Sequence, residues 1–426
     1  MFYYKRRSLG APPSDLVDNG QLSVNVYDIG IGKPLPGAVV RVSSHSDPNS
    51  VLEEFSTDSS GQTPGLSLPA PPLEYSQQPE EPKPYSEYDV RVTLKGFEPV
   101  IVRGVQILPG TRAIQDVSLH PADADATTAE SVTIPESILW GEYPPKIPEN
   151  PIKTLPTSTG FVVLAKAVVP ETIVVHTGVP TNSSARNYWI PFKDYIKNVA
   201  CCEIYANWPE QTLRANILAI ISLTLNRVYT EWYRNRGYAF TITNSTQYDQ
   251  AFTYGRNIFE EISEVVDDIF TTYITKPNIR QPLFSQYCDG KNSQCPSWMT
   301  QWGSKSLGDQ GKAALEILRY YYGSDVYLMQ AEKVDGVPSS FPGSALTLGS
   351  SGANVTTIQE QLNRISNNYP ALPKLVADGS YGESTAASIK KFQEIFKLPQ
   401  SGIVDFSTWY KISEIFVAVT KMAETI

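Results

Sequence analysis

Cysteine and histidine are scarce in this chain, four and three among 426 residues. Four cysteines are too few for a disulfide-stapled scaffold. Cys201 and Cys202 are adjacent and poorly placed to bridge each other, so they read as small buried apolar residues. Cys288 and Cys295, separated by DGKNSQ, are open to pairing or to metal ligation. Basic residues are also in deficit: 35 Lys and Arg against 44 Asp and Glu give a net charge of −9. That balance argues against nucleic acid, whose binding needs concentrated Lys and Arg. No apolar run follows the basic start MFYYKRRSLGAPPSDLVDNGQ, so neither a secretory leader nor a membrane partner is expected.

Proline and tyrosine are plentiful, 33 and 24, as in a linker-rich, partly β chain with wet aromatic surfaces. Residues 1–20 read as an arm. Between 21 and 121 the alternation in LSVNVYDIG, the turn in GKPLPGAVVRVSS and the runs YDVRVTLKGFEPVIVRGVQIL and IQDVSLHP predict strands. The insert at 69–87, PAPPLEYSQQPEEPKPYSE, is expected to pack little. His45 and His120 stand alone and carry no catalytic set. Residues 122–159 form a linker, first small and acidic (PADADATTAE), then proline-rich, with Trp140 and Tyr143 as expected anchors onto a neighbouring domain.

A third region, 160–335, opens with two predicted strands in GFVVLAKAVVPETIVVHTG and is organised around DYIKNVACCEIYANWPEQTLRANILAIISLTLNRVYTEW, residues 194–232. Asn207 is placed to cap a helix and Pro209 to occupy its first turn. Leu213, Ile217, Ile220, Ile221, Thr224, Leu225 and Val228 recur at helical spacing, and Leu218 and Leu223 fill the other face, so the helix is expected to be buried nearly all round. Asn216, Asn226 and Arg227 exclude it as a bilayer span. Glu203 stands just ahead of this run, in the low-dielectric setting that suits a general acid. A glutamate there also serves plainly as a cap or a lysine partner. Farther on, Ile258, Ile262, Val265, Val266 and Ile269 predict an amphipathic helix whose acidic run is a solvated face.

The pattern Y-I-K-x-V-x-x-x-E-I-x-A-x-W-P-x-x-x-L-R-A resembles the catalytic segment of the SpoIID-type lytic transglycosylases, which cut peptidoglycan glycan strands. A second segment, Met299 to Tyr322, resembles that family's closing motif. The resemblance implies an α+β catalytic domain with Glu203 as acid/base, and Thr300, Gln301, Trp302 and Tyr205 as substrate-binding residues. It also bears on metal. Cys295 falls where many family members place a zinc-binding histidine, but a closed zinc site takes about four ligands. Only Cys288 and Cys295 are offered, with His176 far upstream. No cofactor is therefore expected; zinc ranks below a disulfide, and a disulfide level with free thiols.

The N-terminal elements G-K-P-L-P-G-A-V-V, T-D-S-S-G-Q-T and Y-D-V-R-V-T-L-K-G-F resemble transthyretin-like, carboxypeptidase-regulatory-like β-sandwiches. From 345 to 426, LTLGSSGANVTTIQEQLNRI and VADGSYGESTAASIKKFQEIFKLPQSGIVDFSTWYKI resemble a three-helix peptidoglycan-binding domain, in which most motif positions are structural. The expected fold class is thus a multidomain α+β chain of three such parts. Their order resembles the clostridial spore cortex-lytic enzymes of the SleC type. That resemblance implies a germination zymogen, made in the mother cell without a signal peptide and lying at the cortex/coat boundary. Its implied partners are cortex peptidoglycan and an activating subtilisin-like Csp protease that cuts between Pro121 and Val132. A wall hydrolase without zymogen control and an inactive wall-binding protein are the rival readings.

Overall fold

The computed structural model describes residues 17–29, 32–122, 130–154, 167–293 and 295–421. The predicted arm before 17, the acidic linker at 123–129 and the start of the third region at 160–166 lie outside the described residues.

The N-terminal strands are β1 (Asp18–Asp28), β2 (Val39–Ser44), β3 (Asp47–Ser56), β4 (Leu66–Ala70), β5 (Ser86–Thr93), β6 (Val100–Ile107), β7 (Arg112–Leu119) and β8 (Glu130–Thr133). Their period-two pattern sets which face is buried: Val40 and Val42 are inside while Arg41 between them is exposed. One sheet runs β3-β2-β5-β6-β8, with β8 parallel to β6. β8 extends the sandwich past the boundary read from sequence at 121, and β1 starts three residues before the one at 21. The 69–87 insert packs better than its composition suggested. Ser76 and Tyr85 are buried, and Ser76 O accepts the Trp208 indole N–H at 2.8 Å.

The central elements follow in order: β9 (Val168–Val169), β10 (Thr172–His176), β11 (Asn187–Pro191), α1 (Phe192–Glu203), α2 (Glu210–Tyr229), β12 (Ile242–Thr243), β13 (Ile258–Phe259), α3 (Glu260–Ile269), β14 (Thr272–Thr275), β15 (Tyr287–Cys288), β16 (Met299–Thr300), α4 (Gln301–Asp309), α5 (Ala314–Tyr322), β17 (Tyr327–Gln330) and β18 (Lys333–Val334). α2 is buried on nearly every side, as its sequence predicts. Several of its buried polar side chains bond to neighbours: Ser222 Oγ accepts Ile274 N at 2.8 Å, and Asn216 Nδ2 donates to Ser304 Oγ at 2.8 Å. No described helix is long and apolar enough to cross a membrane. Asn207 does not cap α2, which begins after Pro209 without a side-chain cap. Its amide instead donates to Ser76 Oγ at 2.8 Å and to Pro109 O at 3.3 Å, tying the helix entry to the sandwich.

The amphipathic helix is shorter than its periodicity predicts. Ile258 and Phe259 leave it to pair with Ile114 and Ala113 of β7, so that β13 completes the second sandwich sheet, β13-β7-β1-β4. Beside it, Asn257 imitates a strand residue: its Oδ1 accepts Gln106 N and its Nδ2 donates to Gln106 O, both at 3.0 Å. The acidic run of α3 is not simply solvated either. Asp267 is buried between Lys193 at 3.0 Å and Lys197 at 2.8 Å. Burial alone would raise its carboxyl, but the two ammonium groups outweigh that and hold it well below the usual range.

The C-terminal helices are α6 (Ala353–Ile365), α7 (Glu383–Ile395) and α8 (Phe406–Lys421). Two buried glutamines repeat one device. Gln359 accepts Gly379 N and donates to Thr385 Oγ1, while Gln393 accepts Gly402 N and donates to Thr408 Oγ1. Each ties a turn containing a left-handed glycine to the next helix. These glutamine, glycine and threonine positions are structural, as the sequence suggests for most of the motif. Glu414 of α8 pairs with Lys193 of α1 at 2.5 Å, and Gln62 of the sandwich donates to Ile395 O at 2.9 Å, so this module touches both others.

Candidate active site

Glu203 is the last residue of α1, and the chain turns extended at Ile204 before entering α2. The side chain is buried at 7% exposure, and both oxygens are held. Oε1 accepts Ala251 N at 2.7 Å, and Oε2 accepts Gln301 Nε2 at 3.0 Å. Gln301 also donates to Glu203 O at 2.7 Å, which fixes the orientation of its amide. The Ala251 loop is itself fixed by Asn198 of α1, whose amide donates to Thr253 O and accepts Thr253 N.

Glu203 opens into a cleft whose walls come from three directions: Pro135–Lys146, Asn244–Thr253 and Cys288–Gln301. The first wall is the proline-rich segment after β8, held on both flanks. Upstream, Tyr85 OH accepts Ser137 N at 2.8 Å, and Lys83 bonds Glu136 at 3.1 Å. Downstream, Ile147 N donates to Gln247 O, and Gln286 accepts Glu149 N and donates to Ile147 O. Trp140 is buried against Trp302, which in turn meets Tyr205 and Trp208, so it does anchor the segment. Tyr143 lines the cleft, and burial together with the Glu203 charge pushes its hydroxyl up to about 12.

Of the four expected substrate-binding residues, only Gln301 lines this cleft. Tyr205 and Trp302 are buried behind Glu203 in the aromatic cluster, where Tyr205 OH accepts Leu139 N at 3.3 Å. Thr300 turns the other way, with Oγ1 3.1 Å from Tyr321 OH. These three shape the wall rather than present a face to the cleft. The sequence also hid two further carboxylates that line it, Glu136 and Asp289. Asp289 is committed to its own loop, accepting the backbone N–H groups of Lys291, Asn292 and Ser293. Glu136 is at the rim, with an exposed side chain. Lys146 was missed because it precedes the expected domain. Its ammonium donates to Asp249 O at 2.9 Å and sits 4.8 Å from the Tyr287 ring centre.

Cys288 and Cys295 form a disulfide with Cα atoms 6.0 Å apart, which closes the third wall and leaves neither thiolate for a metal. Among the described residues, no three His, Cys, Asp or Glu side chains gather as a metal site. So short a loop gives a chain-entropy contribution of about 2.5 kcal/mol. Converting both cysteines to serine is expected to lower unfolding free energy by about that much, read as a shift in urea midpoint.

The fold is thus a multidomain α+β chain with a C-terminal helical module and a carboxylate-bearing cleft in its central part. Residues 351–412 match the family model described as a putative peptidoglycan binding domain, which makes peptidoglycan the partner indicated for that module. No curated protein matches the chain. Among solved structures, the SleB N-terminal domain is 26% identical and covers 18% of this chain and 99% of its own, with a TM-score of 0.16. A Klebsiella pneumoniae 5-hydroxyisourate hydrolase is 17% identical and covers 24% of this chain and 92% of its own, with a TM-score of 0.17. The Bacillus anthracis TIE protein is 17% identical over 25% of this chain and 17% of its own, with a TM-score of 0.18.

Proposed function

We propose that this chain is the proenzyme of a peptidoglycan lytic transglycosylase acting on spore cortex during germination, in the manner of the SleC-type enzymes its sequence resembles. The observation that carries the reading is Glu203: a buried carboxylate with both oxygens positioned, opening into a cleft, on a chain that carries a peptidoglycan-binding module. Glu203 gives its proton to the glycosidic oxygen between N-acetylmuramic acid and N-acetylglucosamine. The C–O bond breaks through an oxocarbenium-like transition state. The carboxylate left behind takes the proton of the muramyl C6 hydroxyl, whose oxygen closes the 1,6-anhydro ring, so acid and base roles fall to one residue. Gln301 and Ala251 N–H hold that carboxylate in place through both halves.

One observation favours a second reading. Glu136 at the rim supplies another carboxylate, and a hydrolase uses two, one as acid and one to activate water or form a covalent intermediate.

Zymogen control finds support in how the sandwich holds the cleft. β8 and Tyr85 belong to the N-terminal module and fix the segment that walls Glu203. A Csp-type cut between Pro121 and Val132 is expected to give a mature form beginning there, active on cortex peptidoglycan where the uncut chain is not. Mass spectrometry of the mature protein and release of soluble glycan by both forms check this. A start inside the sandwich, or equal activity of the uncut chain, refutes it. Synthesis in the mother cell and residence at the cortex/coat boundary belong to the same proposal.

A further inference from the structure

A second feature beside the cleft is not used by the chemistry above. Tyr188 of β11 and Tyr254 are stacked, with ring centres 4.3 Å apart and planes at 20°. Tyr254 is 46% exposed, so the stack presents an aromatic surface to solvent. Its neighbour Thr253 is part of the cleft wall, and the reciprocal Asn198–Thr253 bonds fix the backbone there. Gly255 follows with φ of +77°, and a side chain at that position would meet Val132 of β8. The loop is therefore pinned on both sides of Tyr254. Burial, then Tyr188 and the Glu130 carboxylate, raise the Tyr254 hydroxyl above its ordinary value, so it stays a neutral hydrogen-bonding group.

We infer that the stacked pair Tyr188–Tyr254 is a sugar-binding subsite that continues the Glu203 cleft along a glycan strand. A pyranose has an apolar face of C–H groups edged by hydroxyls, and a fixed tyrosine offers a matching apolar face edged by a hydroxyl. The ligand class is a β-linked N-acetylhexosamine chain, chosen by continuity with the cleft rather than by the rings alone. The inference rests on the proposed glycan-cleaving function. It adds that the cleft prefers long strands, because a fragment that fills only the space at Glu203 never reaches Tyr254.

Trp189, the next residue on β11, is 66% exposed and points to the opposite face of the strand, which makes it an internal control. The test measures equilibrium binding of peptidoglycan glycans, one disaccharide repeat against several repeats, to the full-length chain made inactive by Glu203→Gln. The C-terminal module is common to every variant, so differences between variants report the platform. Tyr254→Ala is expected to weaken binding of the long glycan about tenfold and to leave the short one unchanged. Tyr254→Phe is expected to restore most of the loss, and Trp189→Ala to change neither. An equal effect of Tyr254→Ala on both lengths, no effect on either, or the same loss from Trp189→Ala overturns the subsite. Cleavage by the parent enzyme with no length dependence in any variant overturns it while leaving the catalytic reading intact. Absence of glycan binding and cleavage in the parent removes both.

Discussion

Glu203→Gln is expected to reduce glycan cleavage by about 10³-fold or more while leaving peptidoglycan binding through residues 351–412 in place. Glutamine keeps the size of the side chain but has no proton to give to a leaving oxygen and no charge to take one back. The hydrogen bonds make a second, smaller expectation. Both Glu203 oxygens accept from N–H donors, Ala251 N and Gln301 Nε2. A glutamine amide must turn its NH₂ toward one of them. Gln301 does not simply flip to accommodate it, because its Nε2 also bonds Glu203 O. One contact is therefore lost, at a cost of about 1 kcal/mol in folding stability. Initial rates of glycan release and urea unfolding of the same sample separate the two effects. Retention of substantial activity removes Glu203 from the acid/base role.

The largest expected effect on stability comes from Arg227→Met. Arg227 has no exposed side-chain surface. It bonds Asp249 Oδ1 at 2.7 Å and Glu149 Oε1 at 2.6 Å. Asp249 in turn accepts Tyr233 OH at 2.6 Å and Thr243 Oγ1 at 2.7 Å, two residues before the Ala251 N–H that holds Glu203. Removing the guanidinium leaves the buried Asp249 carboxylate without its cation and Glu149 with Lys153 alone at 2.7 Å, a change that costs about 3–5 kcal/mol. Unfolding free energy is expected to drop by that amount, and glycan cleavage to fall with it as the Ala251 loop loosens. A loss under about 1 kcal/mol contradicts this account of the network. The pH dependence has a definite sign. Burial would raise Glu149, but Arg227 and Lys153 outweigh it and hold its carboxyl below the ordinary value. Its stabilising share is present above the unfolded carboxylate pKa of about 4.3 and is lost as pH falls through the folded value. Arg227→Met is expected to remove that part of the acid sensitivity.

The sequence showed the elements whose periodicity is local. α2 is buried all round because its apolar residues occupy every face, and the sandwich strands follow simple alternation. In the C-terminal module the structural positions were legible through the family resemblance, while the glutamine bonds that tie each turn to the next helix appear only in the fold. What stayed hidden depends on distant pairing. Ile258 fits a helix by spacing, yet β7 offers an edge that claims it and Phe259 as a strand. Asn207 looks like a cap, but Ser76, far upstream, takes its amide. In the site, Glu203 and Gln301 were found from their motifs and do meet. Thr300, Trp302 and Tyr205 adjoin the same motifs, but their orientation follows from packing on Tyr321, Trp140 and Trp208. Glu136 and Lys146 reach the cleft from a segment with linker composition, and nothing local in that segment marks them as cleft residues.

The most direct measurement is the mass of the new glycan ends after cortex peptidoglycan is digested by the processed enzyme. Anhydromuramic ends, lighter by one water than the hydrolysis product, are the predicted result, since a single acid/base at Glu203 closes the ring with the C6 hydroxyl and no water. Reducing ends carrying the added water contradict it and turn attention to Glu136 as the second carboxylate.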